Sequence, residues 1–205
     1  MIVIVDYGMG NLGSIANMLK KVGAQSRISS DPQVIESADK LILPGVGAFD
    51  LGMKNLNQRS LVDLLNVQVM DLKKPILGPC LGMQLFTLTS EEGKEQGLGW
   101  LDAQTVRFKF DGVNSHLKIP HMGWNTLQIQ KPHPLLEDLG TDARFYFVHS
   151  CHVTCNNQEP VLATTNYGYD FPSVVAQDNI LGAQFHPEKS HKFGMKLLTN
   201  FAEHI

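Results

Sequence analysis

From Met1 to Ser90, short apolar runs alternate with stretches of helical spacing. Ile2–Val5, Leu41–Leu43 and Pro75–Leu77 are rich in branched residues, and each ends near a turn former or a glycine. Between them Leu12, Ile15, Leu19 and Val22 share one helical face, as do Leu61, Leu64, Leu65 and Leu72. Strand, helix, strand, helix in that order predicts βαβ units. Right-handed crossovers between parallel strands put helices on both faces of such a sheet.

Beyond Trp100 the pattern changes. Thr105–Phe110, Trp124–Ile129, Phe145–Val148, Val161–Thr165, Ser173–Ala176 and Leu181–Phe185 each read as a strand, with Gly, Pro and Asn between them. Phe193, Leu197, Leu198 and Phe201 then predict a closing amphipathic helix. No repeat, low-complexity stretch or linker interrupts the chain. The expected fold is α/β: an open, mostly parallel sheet with helices on both faces and a β-rich second half, in a single domain over residues 1–205.

Composition narrows the class. Hydrophobic residues at 43% and charged residues at 18% suit a chain that buries a core. A formal net charge of −3, with no basic stripe, argues against nucleic-acid binding. No apolar run is long enough to cross a bilayer. Met1–Val5 stops at Asp6 without a basic leader, so it reads as a buried strand and not an export signal. The 3 cysteines are too few and of the wrong parity for a disulfide framework, and a reducing cytoplasm is the expected location.

The sharpest chemical signal is Gly78-Pro79-Cys80-Leu81-Gly82, which has the spacing of a nucleophile elbow with Cys in place of Ser. Where a strand turns abruptly into a helix, backbone approaches backbone, and a side chain at either glycine would clash. Leu81, Leu85 and Leu88 predict the apolar face of the helix that follows. A Cys at a helix N-terminus is favoured as thiolate by the dipole. Taken alone, the five residues fit a buried cysteine in a glycine-rich turn equally well.

Phe185-His186-Pro187-Glu188 is the second signal. In extended chain, residues i and i+2 point to one side, so a carboxylate can sit beside the imidazole and fix its tautomer. The third is Pro44-Gly45-Val46-Gly47, directly after Leu41–Leu43. It matches no phosphate-binding pattern, but beside an elbow its main-chain N–H groups can form half an oxyanion hole, with the N–H of Leu81 as the other half. Each motif follows an apolar run, and in an open α/β sheet sites form at the carboxyl ends of strands, so one crevice can hold all three.

His149, Cys151, His152 and Cys155 offer N and S ligands of the kind zinc takes. In a strand, however, His149 and Cys151 face opposite to His152, and Cys-x3-Cys has no second half elsewhere. No metal and no other cofactor is expected.

On these motifs the sequence resembles the class I (triad) glutamine amidotransferases, and among them the glutaminase subunit of imidazole glycerol phosphate synthase. The likeness extends over Asp6-Tyr7-Gly8-Met9-Gly10-Asn11, Pro44 to Phe49, Cys80-Leu81-Gly82-Met83-Gln84, Pro120-His121-Met122-Gly123-Trp124-Asn125, Tyr146 to Ser150 and Gln184 to Ser190. It implies glutamine hydrolysis through a Cys80 thioester, with His186 as acid and base, Glu188 orienting it, and Val46 and Leu81 holding the oxyanion. It also implies that the Val46 peptide reorients before donating. Gly47, Gln84, His149 and Ser150 would line the glutamine pocket.

The resemblance further implies a heterodimer with a (β/α)8-barrel cyclase of histidine biosynthesis that takes up the ammonia. Asn11, His121, Met122, Trp124 and Tyr146 would meet that partner. No nucleic-acid or membrane partner is implied. Two features depart from the family pattern: Pro79 precedes the nucleophile, and Cys151 and His152 stand where aromatic residues follow the His-Ser pair. Together with Ser190 to Gly194, the second resembles paralogues that feed sugar-modifying enzymes of surface-polysaccharide synthesis. A non-catalytic subunit on the same fold and a cysteine hydrolase of other carbonyl compounds are the remaining alternatives.

Overall fold

The computed structural model describes residues 1–205. Its strands and helices run in the order β1 (Ile2–Val5), α1 (Leu12–Lys21), β2 (Ser26–Ser29), α2 (Pro32–Glu36), β3 (Lys40–Ile42), α3 (Phe49–Gln58), α4 (Leu61–Asn66), β4 (Ile76–Pro79), α5 (Leu81–Leu85) and β5 (Thr89–Ser90). The second half contains β6 (Ala103–Arg107), β7 (His121–Thr126), β8 (Gln128–Ile129), β9 (Arg144–His149), β10 (Cys151–Cys155), β11 (Val161–Asn166), β12 (Asp170–Gln177), β13 (Ile180–Ala183) and α6 (His191–His204).

The main sheet has eight strands in the order β2-β1-β3-β4-β13-β12-β11-β8. Pairing is parallel from β2 to β13 and antiparallel from β13 to β8. Strand alternation divides the core. Val3, Val5, Leu41 and Ile76 pack with Ile35, Phe49, Met53, Leu56 and Leu65 on one face. Ile2, Ile4, Ile42 and Leu77 pack with Ile15 and Leu19 of α1 and Phe193, Leu197 and Phe201 of α6 on the other. Burial on both faces explains why these strands read as continuous apolar runs. Two smaller sheets, β10-β6-β5 and the β7-β9 ribbon, complete the β-rich half.

Some expected boundaries move. The edge strand β2 is polar and half-exposed, with no apolar run to signal it. The helix expected through Leu72 ends at Asn66 and continues as a π-turn over Val67–Asp71, which leaves Leu72 exposed. The helix after the elbow also stops early. Thr87 Oγ1 donates to the Gln84 carbonyl at 2.8 Å and Leu88 N–H pairs with Ala103 O, so Leu88 leaves the helix and lies partly exposed.

Candidate active site

The elbow at Cys80 is built by steric exclusion. Cys80 adopts φ 50° and ψ −110°, a conformation that costs a non-glycine residue on the order of 1–3 kcal/mol. Its neighbours hold it there: Cys80 N–H donates to Ala183 O at 2.7 Å, and Cys80 O accepts from Gln84 N–H at 3.3 Å. A Cβ on Gly78 would lie 2.7 Å from the Gly82 carbonyl carbon, and one on Gly82 would collide with the Leu43 carbonyl. Pro79 sits at the last position of β4, opposite Ala183 and beyond the end of β3. The pairing with β13 continues past it, since Cys80 N–H donates to Ala183 O, and the elbow is intact.

Sheet order brings the motifs together. β4 lies between β3 and β13, so the loop after β3 and the turn after β13 flank Cys80 on its two sides. Gly45 bridges directly to Cys80. A cavity of about 390 Å³ opens there, lined by Cys80, His186, Val46, Gly47 and Leu81. Gln84, His149 and Ser150 line it as well, and so does Glu92, which belongs to none of the motifs above. Gly47 has φ 121°, which only glycine adopts without strain. Val46 is 47% exposed, so its peptide lies at the mouth of the cavity and is not locked into the core.

His186 and Glu188 form a buried pair. Nδ1 lies 2.8 Å from Oε1, with each side chain only 2% exposed. Strand alternation is not what joins them. His186 ends the extended segment, and Pro187–Lys189 form a 3₁₀ turn that folds the carboxylate back onto the ring. Ser190 pins this turn: its hydroxyl donates to His186 O at 2.6 Å and accepts from Tyr146 N–H at 3.0 Å. Burial alone would lower the His186 pKa, but the neighbouring Cys80 and Glu188 outweigh it and raise the value to about 10. Nε2 makes no hydrogen bond, so it is free to exchange a proton in the cavity that it and Cys80 both line.

Other histidines of the site are neutral. Burial lowers His149 to about 3 and His121 to about 4. Tyr7 is wholly buried beneath Gly45, and its hydroxyl has no partner. Burial, then the charge of Cys80, raises its pKa, so it stays a neutral phenol. Glu92 accepts the Phe49 N–H at 2.9 Å and is the sole carboxylate lining the cavity. His149, Cys151, His152 and Cys155 are buried, yet no three metal-binding side chains converge. His149 Nδ1 contacts Cys151 O, while His152 Nε2 contacts the Tyr169 hydroxyl.

The residues expected at a partner surface divide by strand phase. Met122 is 62% and Trp124 44% exposed, Asn11 is exposed, and Tyr146 is half-buried. His121 points the other way: it is 3% exposed and stacks between Phe147 and Tyr167, so its side chain is not on the outer face. The ribbon β7 starts at His121, three residues before the strand read from sequence, and that phase turns His121 inward.

A family model for glutamine amidotransferase class-I matches residues 3–205, and the chain belongs to this family. It is thus a glutamine amidotransferase, an enzyme on the α/β fold described above. Among its relatives, the imidazole glycerol phosphate synthase subunit HisH 2 of Methanococcus maripaludis is 54% identical over 98% of both chains. The subunit HisH 2 of Pseudomonas aeruginosa is 52% identical over 99% of both. The subunit HisH of Sulfurimonas denitrificans is 47% identical over 100% of this chain and 98% of its own. A solved structure titled PurLQS from Thermotoga maritima superposes with a TM-score of 0.73 at 14% identity, covering 99% of this chain and 97% of its own, and shares the fold.

Proposed function

We propose that this chain is the glutaminase subunit of an imidazole glycerol phosphate synthase in histidine biosynthesis, with Cys80, His186 and Glu188 as its catalytic triad. The observation that carries this reading is the meeting of three loops at adjacent strand ends, where Cys80, His186 and the Val46 loop line one cavity. The identity of the relatives, 44–54% over nearly their whole length, supports the assignment to this kind of subunit.

Cys80 thiolate attacks the carboxamide carbon of glutamine, and the main-chain N–H groups of Val46 and Leu81 take the charge that develops on oxygen. The Val46 peptide, at the open mouth of the cavity, turns inward to donate. His186 Nε2–H delivers its proton to the departing ammonia as the C–N bond breaks. The same nitrogen then takes a proton from water, which attacks the thioester and releases glutamate. Glu188 holds Nδ1 and stabilises the imidazolium throughout.

Gly47, Gln84, His149 and Ser150 contribute the glutamine pocket, and Glu92 supplies the acidic group that the substrate's α-ammonium requires. Acyl transfer through a thioester needs no metal or organic cofactor. Ammonia freed into water would be protonated and lost, so the reading includes a docked acceptor: a (β/α)8-barrel cyclase, as a heterodimer in the cytoplasm. Asn11, Met122, Trp124 and Tyr146 face it, and His121 supports that face from inside. The whole chain acts as one domain.

Cys80→Ala in the purified complex is expected to abolish glutamine-dependent product formation and to leave ammonia-dependent formation intact. Retained glutamine-dependent turnover would sink the assignment. A second reading concerns the acceptor alone. The relatives from Methanococcus maripaludis and Pseudomonas aeruginosa are both named as HisH 2, and in this chain His152 contacts Tyr169 where the family pattern is aromatic. A sugar-modifying synthetase copurifying with the native chain, in place of a cyclase, would favour it.

A further inference from the structure

Behind the cavity runs a chain of hydrogen bonds whose direction is fixed at both ends by main-chain groups. At the outer end, Asn125 Oδ1 accepts from Thr126 N–H at 2.8 Å and Nδ2 donates to Asn166 O at 2.9 Å. The amide can therefore present only N–H to His121 Nε2, 3.2 Å away. His121 must carry its proton on Nδ1 and donate to His149 Nε2 at 3.0 Å. His149 must in turn donate from Nδ1 to Cys151 O at 2.7 Å. At the inner end, a carbonyl can only accept, so the Cys151 oxygen demands the same direction. Two independent anchors agree.

The Cys151 carbonyl also receives Gln84 Nε2 at 2.9 Å. The second proton of that amide reaches Gln184 at 3.3 Å and requires the Gln184 oxygen there. Gln184 Nε2 is thereby turned toward Cys80 Sγ, at 3.9 Å, within reach of the larger sulfur atom. Gln184 is wholly buried, so no water competes for that donor.

We propose that Gln184 is a positioning residue for the nucleophile: its amide N–H, held in one direction by the Cys151 carbonyl through Gln84, aims and stabilises the Cys80 thiolate. The inference rests on Cys80 being the nucleophile and adds a donor outside the triad and the oxyanion loop. In the resting enzyme Gln184 Nε2–H is the donor within reach of the sulfur, and the His186 Nε2 beside it makes no hydrogen bond. During attack the imidazolium proton leaves with ammonia, and Gln184 remains to hold the sulfur in line.

Two variants of similar volume test this. Gln184→Glu replaces the donor with a carboxylate, and Gln184→Met removes it while keeping the packing. In complex with the synthase partner, kcat for glutamine hydrolysis should fall about tenfold or more, with KM within about twofold. Alkylation of Cys80 by iodoacetamide at pH 7 should slow about tenfold in both, while the limiting rate at high pH is unchanged. A purely structural role would not divide the pH profile in this way. An alkylation rate at pH 7 within about twofold of the parent, in either folded variant, overturns the proposal.

A measurement on the parent chain keeps the test independent of how the variants fold. The Gln184 side-chain amide proton resonance should move with pH in the parent and stay fixed in Cys80→Ser. No pH-dependent movement in the parent overturns the proposal. Alkylation of Cys80 that abolishes glutaminase activity leaves the nucleophile assignment standing in that event. Activity that survives alkylation removes both.

Discussion

Glu188→Gln isolates the charge of the proposed triad's third member from its shape. The glutamine oxygen can still accept the His186 Nδ1 proton, so what is lost is the charge beside a ring that must be cationic when ammonia departs. The two groups are 2.8 Å apart and each 2% exposed, so water screens little of that charge. A hydrogen bond to a charged group contributes about 1.5–3 kcal/mol, against about 1 kcal/mol between neutral groups, and removal of a buried ionic partner altogether costs about 3–5 kcal/mol. Keeping the acceptor limits the expected loss to the upper end of the difference between charged and neutral bonds, about 2 kcal/mol, or about thirtyfold in kcat. KM should hardly move, because Glu188 lies behind the histidine and outside the cavity lining.

Stability offers a second readout of the same substitution. His186 is raised to about 10 in the folded chain, against about 6.5 for an unperturbed histidine. A raised histidine contributes stability that is complete below about pH 6.5 and is lost as pH rises through about 10. Urea unfolding should therefore show the parent weakening from pH 7 to pH 10, and Glu188→Gln starting lower with a shallower decline. Glutamine hydrolysis by Glu188→Gln within about threefold of the parent would refute the assigned role.

Other substitutions probe separate features. Gly82→Ala should cost about 3 kcal/mol or more, or prevent folding, because the added carbon meets the Leu43 carbonyl; urea denaturation measures it. Tyr7→Phe should stabilise the chain by about 1 kcal/mol in the same assay, since it removes a buried hydroxyl with no partner. Glu92→Gln should raise KM for glutamine about tenfold and leave kcat within about threefold, as seen in steady-state kinetics. Iodoacetamide at pH 8 should label Cys80 and spare Cys151 and Cys155, whose thiols burial pushes up to about 11; peptide mass mapping reads the sites.

What the sequence disclosed follows the range of the interactions involved. The elbow and the His-Pro-Glu segment were legible because their geometry is local: glycine spacing and a two-residue separation survive in one dimension. Even so, the reason for the His186–Glu188 meeting was a 3₁₀ turn and not strand alternation. Strands buried on both faces announced themselves as apolar runs, whereas β2, an edge strand with Arg27 and half-exposed serines, left no such trace. Glu92 was silent because it reaches the cavity from a loop whose position depends on Phe49. The resemblance puts His121 at the partner surface, whereas its inward side chain follows from the phase of β7, which no motif in the sequence signals.

That phase has a consequence for how such an enzyme can diversify. On β7, Met122 and Trp124 look outward, while His121 and Asn125 look inward and make the hydrogen bonds that lead toward the sulfur. On the proposed function, alternate letters of one six-residue strand thus answer to different demands, customers on one side and chemistry on the other. A duplicated copy could exchange its outward letters for a new client while the inward ones keep the hydrolytic apparatus unaltered.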